Sequence, residues 1–198
     1  MNSNPDPTYW PVFWTVVLSW LVFGGLFLFR RRPRATAKRE RKDASVAGIA
    51  LVGVGMALVW AVRRPVNTPL IGHFLSGSYV LGVLAVAIAV GSVWLTLAAI
   101  RALGKQWNVR ATLVEDHKLI TTGPYHIVRH PIYVGMLGMM VATGMAGSYW
   151  YVLLVAAVLG VTGTVVRIRY EERLLREAFG HEFEAYRRNV RALLPMVY

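Results

Sequence analysis

Two short segments hold most of the side chains in this chain that could do chemistry. The first runs His117-Lys118-Leu119-Ile120, then Gly123-Pro124-Tyr125, then Arg129-His130-Pro131-Ile132-Tyr133. The second begins at Arg167, reaches Glu171-Glu172 one turn later, and continues through Phe179-Gly180 to Glu182, Phe183 and Tyr186. Gly123-Pro124 is a turn signal. Pro131 suits the first turn of a helix, where a missing N–H costs nothing. His130 then falls at or beside the N-cap, where free N–H groups and the helix dipole favour an anion. The first segment therefore reads as a polar loop entering a helix N-terminus, a cradle for a zwitterionic or anionic small molecule. Arg167 and Glu171 are four residues apart on one helix face. That spacing is equally compatible with a structural salt bridge and with a working pair.

Plainer readings compete at several of these positions. His126 and His130 have i,i+4 spacing, as metal-binding helices do. Pro131 opposes a continuous helix through them, and no Glu follows His126, so no metal site is expected. His73 has no partner nearby in sequence, and His181 is expected to face solvent after a Gly180 C-cap. In the second segment Leu174, Leu175, Ala178 and Phe179 line one helical face. Glu172/Arg176, Arg173/Glu177 and Glu184/Arg188 form i,i+4 pairs on the other. This predicts an amphipathic surface helix continuing a membrane span, with Glu172 on its solvated side.

The elements that must position these groups are apolar helices. Hydrophobic residues make up 56% of the 198 residues, and mean hydropathy is +0.46. Soluble domains seldom read so apolar. Five segments have the length and apolarity of spanning helices, at 10–29, 44–62, 78–100, 132–146 and 148–166. The expected fold is all-α: a polytopic membrane protein with five transmembrane helices and a cytoplasmic C-terminal helical extension, forming one domain over 1–198. Gly and Ala within the spans predict close helix packing. Lys and Arg number 20 on one side of this layout and 2, Arg63 and Arg64, on the other. The positive-inside rule then places the N-terminus outside and the C-terminus in the cytoplasm, in a cytoplasmic (inner) membrane. The net charge of +12 is assigned to orientation and anionic lipid headgroups rather than to nucleic acid. Cysteine is absent, which removes thiol chemistry. No ionisable residue falls mid-span, so a transporter is disfavoured and the chemistry belongs at the inner surface.

Together, the motif pieces quoted above, with Leu194-Pro195 near the end, resemble the isoprenylcysteine carboxyl methyltransferases and their small prokaryotic relatives. The strong resemblance covers residues 103–196, the expected cofactor and catalytic portion. It implies S-adenosyl-L-methionine as cofactor, bound between the loop before the fourth span and the extension after the fifth. By this likeness His117, Lys118, Leu119, Ile120, Tyr125, His130, Pro131, Ile132, Tyr133 and Glu171 bind the cofactor. Arg167 holds the substrate, Arg129 orders the site, and both belong to the catalytic set. The position of Arg110 is a cofactor contact in some relatives. Phe183 stands where many relatives have Tyr, so no hydroxyl acts there.

The resemblance implies a lipophilic acceptor arriving from the bilayer. A carboxylate acceptor is already ionised and needs no base, so an Arg clamp and desolvation suffice. A phospholipid or amine acceptor would first have to lose a proton. That alternative, and a non-catalytic membrane scaffold of the same fold, remain to be separated by product and by donor binding.

Overall fold

The computed structural model describes residues 9–28, 43–65, 78–104 and 118–193. The basic run at 30–42, His73, Arg110, His117 and Leu194-Pro195 lie outside the described residues. Seven helices appear in the described residues: α1 (Tyr9–Leu28), α2 (Asp43–Ala61), α3 (Ser78–Leu103), α4 (Pro124–Ile127), α5 (Pro131–Gly147), α6 (Trp150–Phe179) and α7 (His181–Asn189). No strand longer than an isolated bridge occurs among them.

A helix stands at each of the five expected spans. Three of them, Trp10–Leu28, Val80–Leu103 and Trp150–Phe179, are long and apolar enough to cross a membrane. The stretches Val46–Ala61 and Pro131–Gly147 are apolar but shorter. At 1.5 Å per residue, the 17 residues of α5 reach about 25 Å, less than the roughly 30 Å of a hydrocarbon core. The 30 residues of α6 reach about 45 Å, longer than the roughly 30 Å of a hydrocarbon core, and its charged residues lie in its C-terminal half. Apolar side chains point outward along the long helices: Leu18, Leu21, Val83, Trp94, Leu154 and Val158 are each more than half exposed. Such a surface is suited to lipid rather than water.

Helix α5 is central, packing against α1, α2, α3 and α6. Small residues set the spacing. On α2 and α6, Gly48 faces Gly163 and Gly55 faces Ala156, seven residues apart on each antiparallel strand of the seam. A Cβ on Gly163 would stand 2.6 Å from the Gly48 carbonyl, and one on Gly55 would stand 2.8 Å from the Ala156 carbonyl. Backbone therefore rests on backbone, gaining dispersion contacts that apolar solvent cannot supply. Gly135 and Gly138 bring α5 equally close to Ser92 and Thr96 of α3. Trp20 donates to the Thr143 hydroxyl at 2.8 Å and joins α1 to α5.

The two ends of the bundle differ. At one end Arg64 donates to the carbonyl of Met145 at 2.9 Å, its backbone N–H donates to Gly147 at 3.0 Å, and Ser148 donates to Val62 at 2.8 Å. A cation there suits the C-terminal end of α5. The opposite end carries His130, Arg167 and the carboxylates. The Gly48–Gly163 contact lies next to it, since a Cβ on Gly48 would also come within 2.7 Å of Cγ of Arg167. The seam thus backs a functional side chain. Gly163→Val should lower stability by about 1–3 kcal/mol through overpacking. Gly53→Ala, where nothing lies within 4 Å, should be neutral or slightly stabilising. Thermal unfolding of the two purified variants in one detergent checks the contrast.

Candidate active site

Helix α5 starts where the sequence places it. Pro131 occupies its first turn and His130 is its N-cap. The preceding turn depends on Gly123 at φ +63, a backbone region in which a side chain is strained. The four-residue α4 follows and buries Tyr125. Gly180, at φ +48, ends α6 and lets α7 fold back. Phe183 of α7 is fully buried, while the Tyr186 hydroxyl donates to the Tyr125 carbonyl at 2.5 Å.

Four predicted residues converge between the start of α5 and the end of α6. The Tyr133 hydroxyl donates to Oε1 of Glu171. Arg167 donates from Nε to the Tyr133 oxygen at 2.7 Å and from Nη2 to Glu171 Oε1 at 3.2 Å. His130 Nδ1 faces Glu171 Oε2 at 3.6 Å, and its ring lies 5.8 Å from that of Tyr133. Arg167 and His130 are buried, 7% exposed each. The Glu171 side chain keeps 24% of its surface, so the cluster opens to the outside through this carboxylate. Burial first, and then the charge of Glu171, push the Tyr125 phenol well above its usual range, keeping it a neutral hydroxyl. Leu119 and Ile120 are half-buried and Lys118 exposed, in irregular chain leading to α4. Pro131 is buried and Ile132 half-buried at the helix start.

Glu172 departs from expectation. It is buried, 7% exposed, instead of facing solvent. Its Oε1 accepts from Arg129 Nε at 2.8 Å, pairs with Arg129 Nη2 at 2.7 Å, and faces His130 Nε2 at 3.3 Å. Arg176, its expected partner, pairs instead with Glu184 at 2.5 Å. Glu184 in turn meets Arg188 only through a backbone carbonyl at 3.4 Å. The Arg173–Glu177 pair does form, at 3.6 Å. The physical reason is register: Ile168, Glu172, Leu175 and Phe179 follow one helical stripe, and Ile168 is buried on it. A carboxylate placed on a buried stripe must find cations, and Arg129 and His130 supply them.

The anion cradle at the α5 N-terminus also differs from expectation. The backbone N–H of Arg129 donates to Arg191 at 2.8 Å and that of His130 donates to Ala192 at 3.0 Å. Those of Tyr133 and Val134 turn back onto the His130 carbonyl, and Pro131 has none. The chain's own C-terminal segment takes the N–H groups of Arg129 and His130, which leaves the Ile132 N–H at the helix start for an anion. Arg129 extends this clasp, donating from Nη1 to the carbonyls of Arg187, at 3.1 Å, and Val190. Its guanidinium binds the protein, which is the geometry of an organiser. Spacing in the sequence carries no signal for the clasp, because residues 128–130 and 190–192 are some sixty positions apart.

Among the described residues, no three His, Asp or Glu side chains are arranged to hold a metal ion. What the cluster offers is a half-open carboxylate, fixed by a phenol, a guanidinium and an imidazole. It can accept hydrogen bonds from hydroxyls or an ammonium group. Removing Arg129 would leave Glu172 buried with a cation lost and loosen the C-terminal segment, which keeps its backbone bonds to residues 129 and 130. Arg129→Ala should therefore cost about 3–5 kcal/mol. Thermal unfolding and limited proteolysis near residue 190 read the two consequences.

This corner lies within the match to a family model. The model described as phospholipid methyltransferase matches residues 78–182, from α3 to the start of α7. The chain is similar to a probable protein-S-isoprenylcysteine O-methyltransferase of Oryza sativa subsp. indica, with 35% identity over 90% of this chain and 96% of the rice protein. The protein-S-isoprenylcysteine O-methyltransferase of Schizosaccharomyces pombe is 38% identical over 42% of this chain and 35% of its own length. The cobalt-zinc-cadmium resistance protein CzcN of Cupriavidus metallidurans is 36% identical over 58% of this chain and 48% of its own length. With a family match over more than half of its residues and a relative aligned along nearly its whole length, the chain belongs to the family of phospholipid and isoprenylcysteine methyltransferases and is a membrane methyltransferase.

Proposed function

We propose that the protein transfers a methyl group from S-adenosyl-L-methionine to a lipophilic carboxylate, at the cytoplasmic face of the cell membrane. One observation carries this reading: Glu171, Arg167, Tyr133 and His130 are locked together at the charged end of α6, with Glu171 left partly open. The rice relative's name, a protein-S-isoprenylcysteine O-methyltransferase, supports the acceptor class. All five apolar helices cross the bilayer in this reading, with the N-terminus outside. The asymmetry of Lys and Arg supports that orientation.

The donor set fits the cofactor at its hydroxyl and ammonium groups, which Glu171 can accept. It fits less well at the cofactor carboxylate, because most backbone donors beside His130 are occupied and the Ile132 N–H remains. The cofactor supplies an electrophilic methyl on a sulfonium cation. Glu171 and His130 bind at its polar end, and Tyr133 and Tyr125 shape the site as neutral hydroxyl groups. His117, Lys118, Leu119, Ile120, Pro131 and Ile132 form the remaining wall by family likeness.

Arg167 holds the acceptor. Tyr133 and Glu171 fix its Nε and Nη2 groups, so the plane of the guanidinium is set before substrate arrives. A carboxylate would pair with this pre-set guanidinium. It needs no base, so orientation and exclusion of water supply the rate. Arg129 acts by holding Glu172 and the C-terminal segment. A phospholipid amine is the second reading, favoured by the description of the matching family. Product chemistry separates the two: a carboxyl methyl ester is lost in base and an N-methyl group is not.

Glu171→Gln should lose saturable binding of S-adenosylhomocysteine in calorimetry while staying folded. Unchanged affinity would refute its role. Arg167→Lys keeps a cation beside Glu171 but loses the two-point grip. It should hold cofactor affinity within about threefold and lower turnover about a hundredfold, the scale of a misplaced reactant. Loss of cofactor binding in Arg167→Lys would overturn this division of roles.

A further inference from the structure

The two carboxylates at the end of α6 meet opposite nitrogens of one buried ring. His130 Nδ1 lies 3.6 Å from Glu171 Oε2 and Nε2 lies 3.3 Å from Glu172 Oε1. A neutral imidazole has one N–H and one lone pair. In that form one ring nitrogen would aim a lone pair at a carboxylate inside a buried site. Only an imidazolium turns an N–H toward both.

We propose that Glu172 is a positioning residue: through Nε2 it holds the His130 ring so that a second N–H stays aimed at Glu171. Glu172 itself is fixed from the far side by Arg129 Nε and Nη2, and its Oε2 faces Arg187 Nε at 3.5 Å. The chain of contacts thus runs from the C-terminal segment through Arg129 and Glu172 to His130, and ends on the open carboxylate. Glu171 then presents fixed lone pairs instead of rotating away, which matters to any ligand it accepts from.

The charged and titratable groups around the ring agree. Glu171 and Glu172 contribute from α6, with Arg167 held one contact further off by Tyr133 of α5. Arg129 lies in the preceding loop, Arg187 approaches Glu172 from α7, and the phenols of Tyr125 and Tyr186 flank the clasp. Burial opposes a charge on His130, but hydrogen bonds and charge from Glu171 and Glu172 outweigh it and raise its pKa. Raised above the ordinary 6.5, the group contributes stability that is complete at lower pH. That contribution is lost as pH rises through the folded value.

The test uses full-length protein labelled with 15N-histidine in detergent micelles, with the His130 signal identified by its loss in His130→Asn. Wild type should show His130 with both nitrogens protonated at neutral pH. A neutral ring there overturns the proposal whatever the variants do. Glu172→Gln should lower the His130 titration midpoint by about one pH unit or more. An unmoved midpoint overturns the proposal. Arg173→Ala, whose partner is Glu177 and which touches neither His130 nor Glu172, should leave the midpoint in place.

The ligand arm rests on the methyl-transfer reading. S-adenosylhomocysteine should bind Glu172→Gln about tenfold more weakly at high pH than at low pH, where wild type changes little. An equal loss at both would make Glu172 structural only and overturn the proposal. Absence of binding by wild type at every pH would refute the methyl-transfer reading instead, and the nuclear resonance arm would still decide the role of Glu172.

Discussion

The buried ion pair of Arg129 with Glu172 is the constraint on which the rest depends. Two charges taken out of water are costly unless their geometry is good and their remaining donors and acceptors are met. Here both conditions hold. Glu172 receives two donors from Arg129 and faces His130. Arg129 turns its remaining edge to the carbonyls at the end of α7. One pair therefore ties three parts of the chain that share no sequence proximity: the corner before α5, the end of α6 and the C-terminal segment. The residues proposed to do the chemistry sit on the frame this pair creates.

That frame needs helices that meet at fixed depth. Small residues provide it. The close approach of α2 and α6 at Gly48 and Gly163 fixes where α6 leaves the bundle, and the same contact packs behind Arg167. Four residues on, Glu171 emerges beside Tyr133 of α5. Helix α5 is held from its other side by α3, again through glycines. The site is thus built on two rigid elements, which is what a reaction governed by alignment requires. The length of α6 matters for the same reason. A helix longer than the bilayer is thick can deliver charged groups to the membrane surface without a loop between.

Much of this was legible in the residues. Apolar runs marked the five helices, Pro131 and Gly180 marked a start and a stop, and Arg167 with Glu171 stood out by spacing. The misreading of Glu172 has a physical cause. Periodicity reports which face a residue occupies, and the i,i+4 spacing of Glu172 to Arg176 suggests a solvated face. The stripe through Ile168, Leu175 and Phe179 carried the opposite message. The clasp of residues 190–192 over Arg129 and His130 was invisible for another reason. It is made by backbone groups across some sixty positions, and backbone donors have no sequence signature. For the same reason the helix start looked like a fully open anion site when most of its donors were already taken.

The central claim is that this corner binds a sulfonium methyl donor. The most direct measurement is calorimetric titration of S-adenosyl-L-methionine into purified wild-type protein, first in detergent and then in lipid bilayers. Saturable binding with one donor per chain is the result the account predicts. No binding by folded protein in either setting would contradict it, and would leave the Glu171 cluster as a strut between two helices.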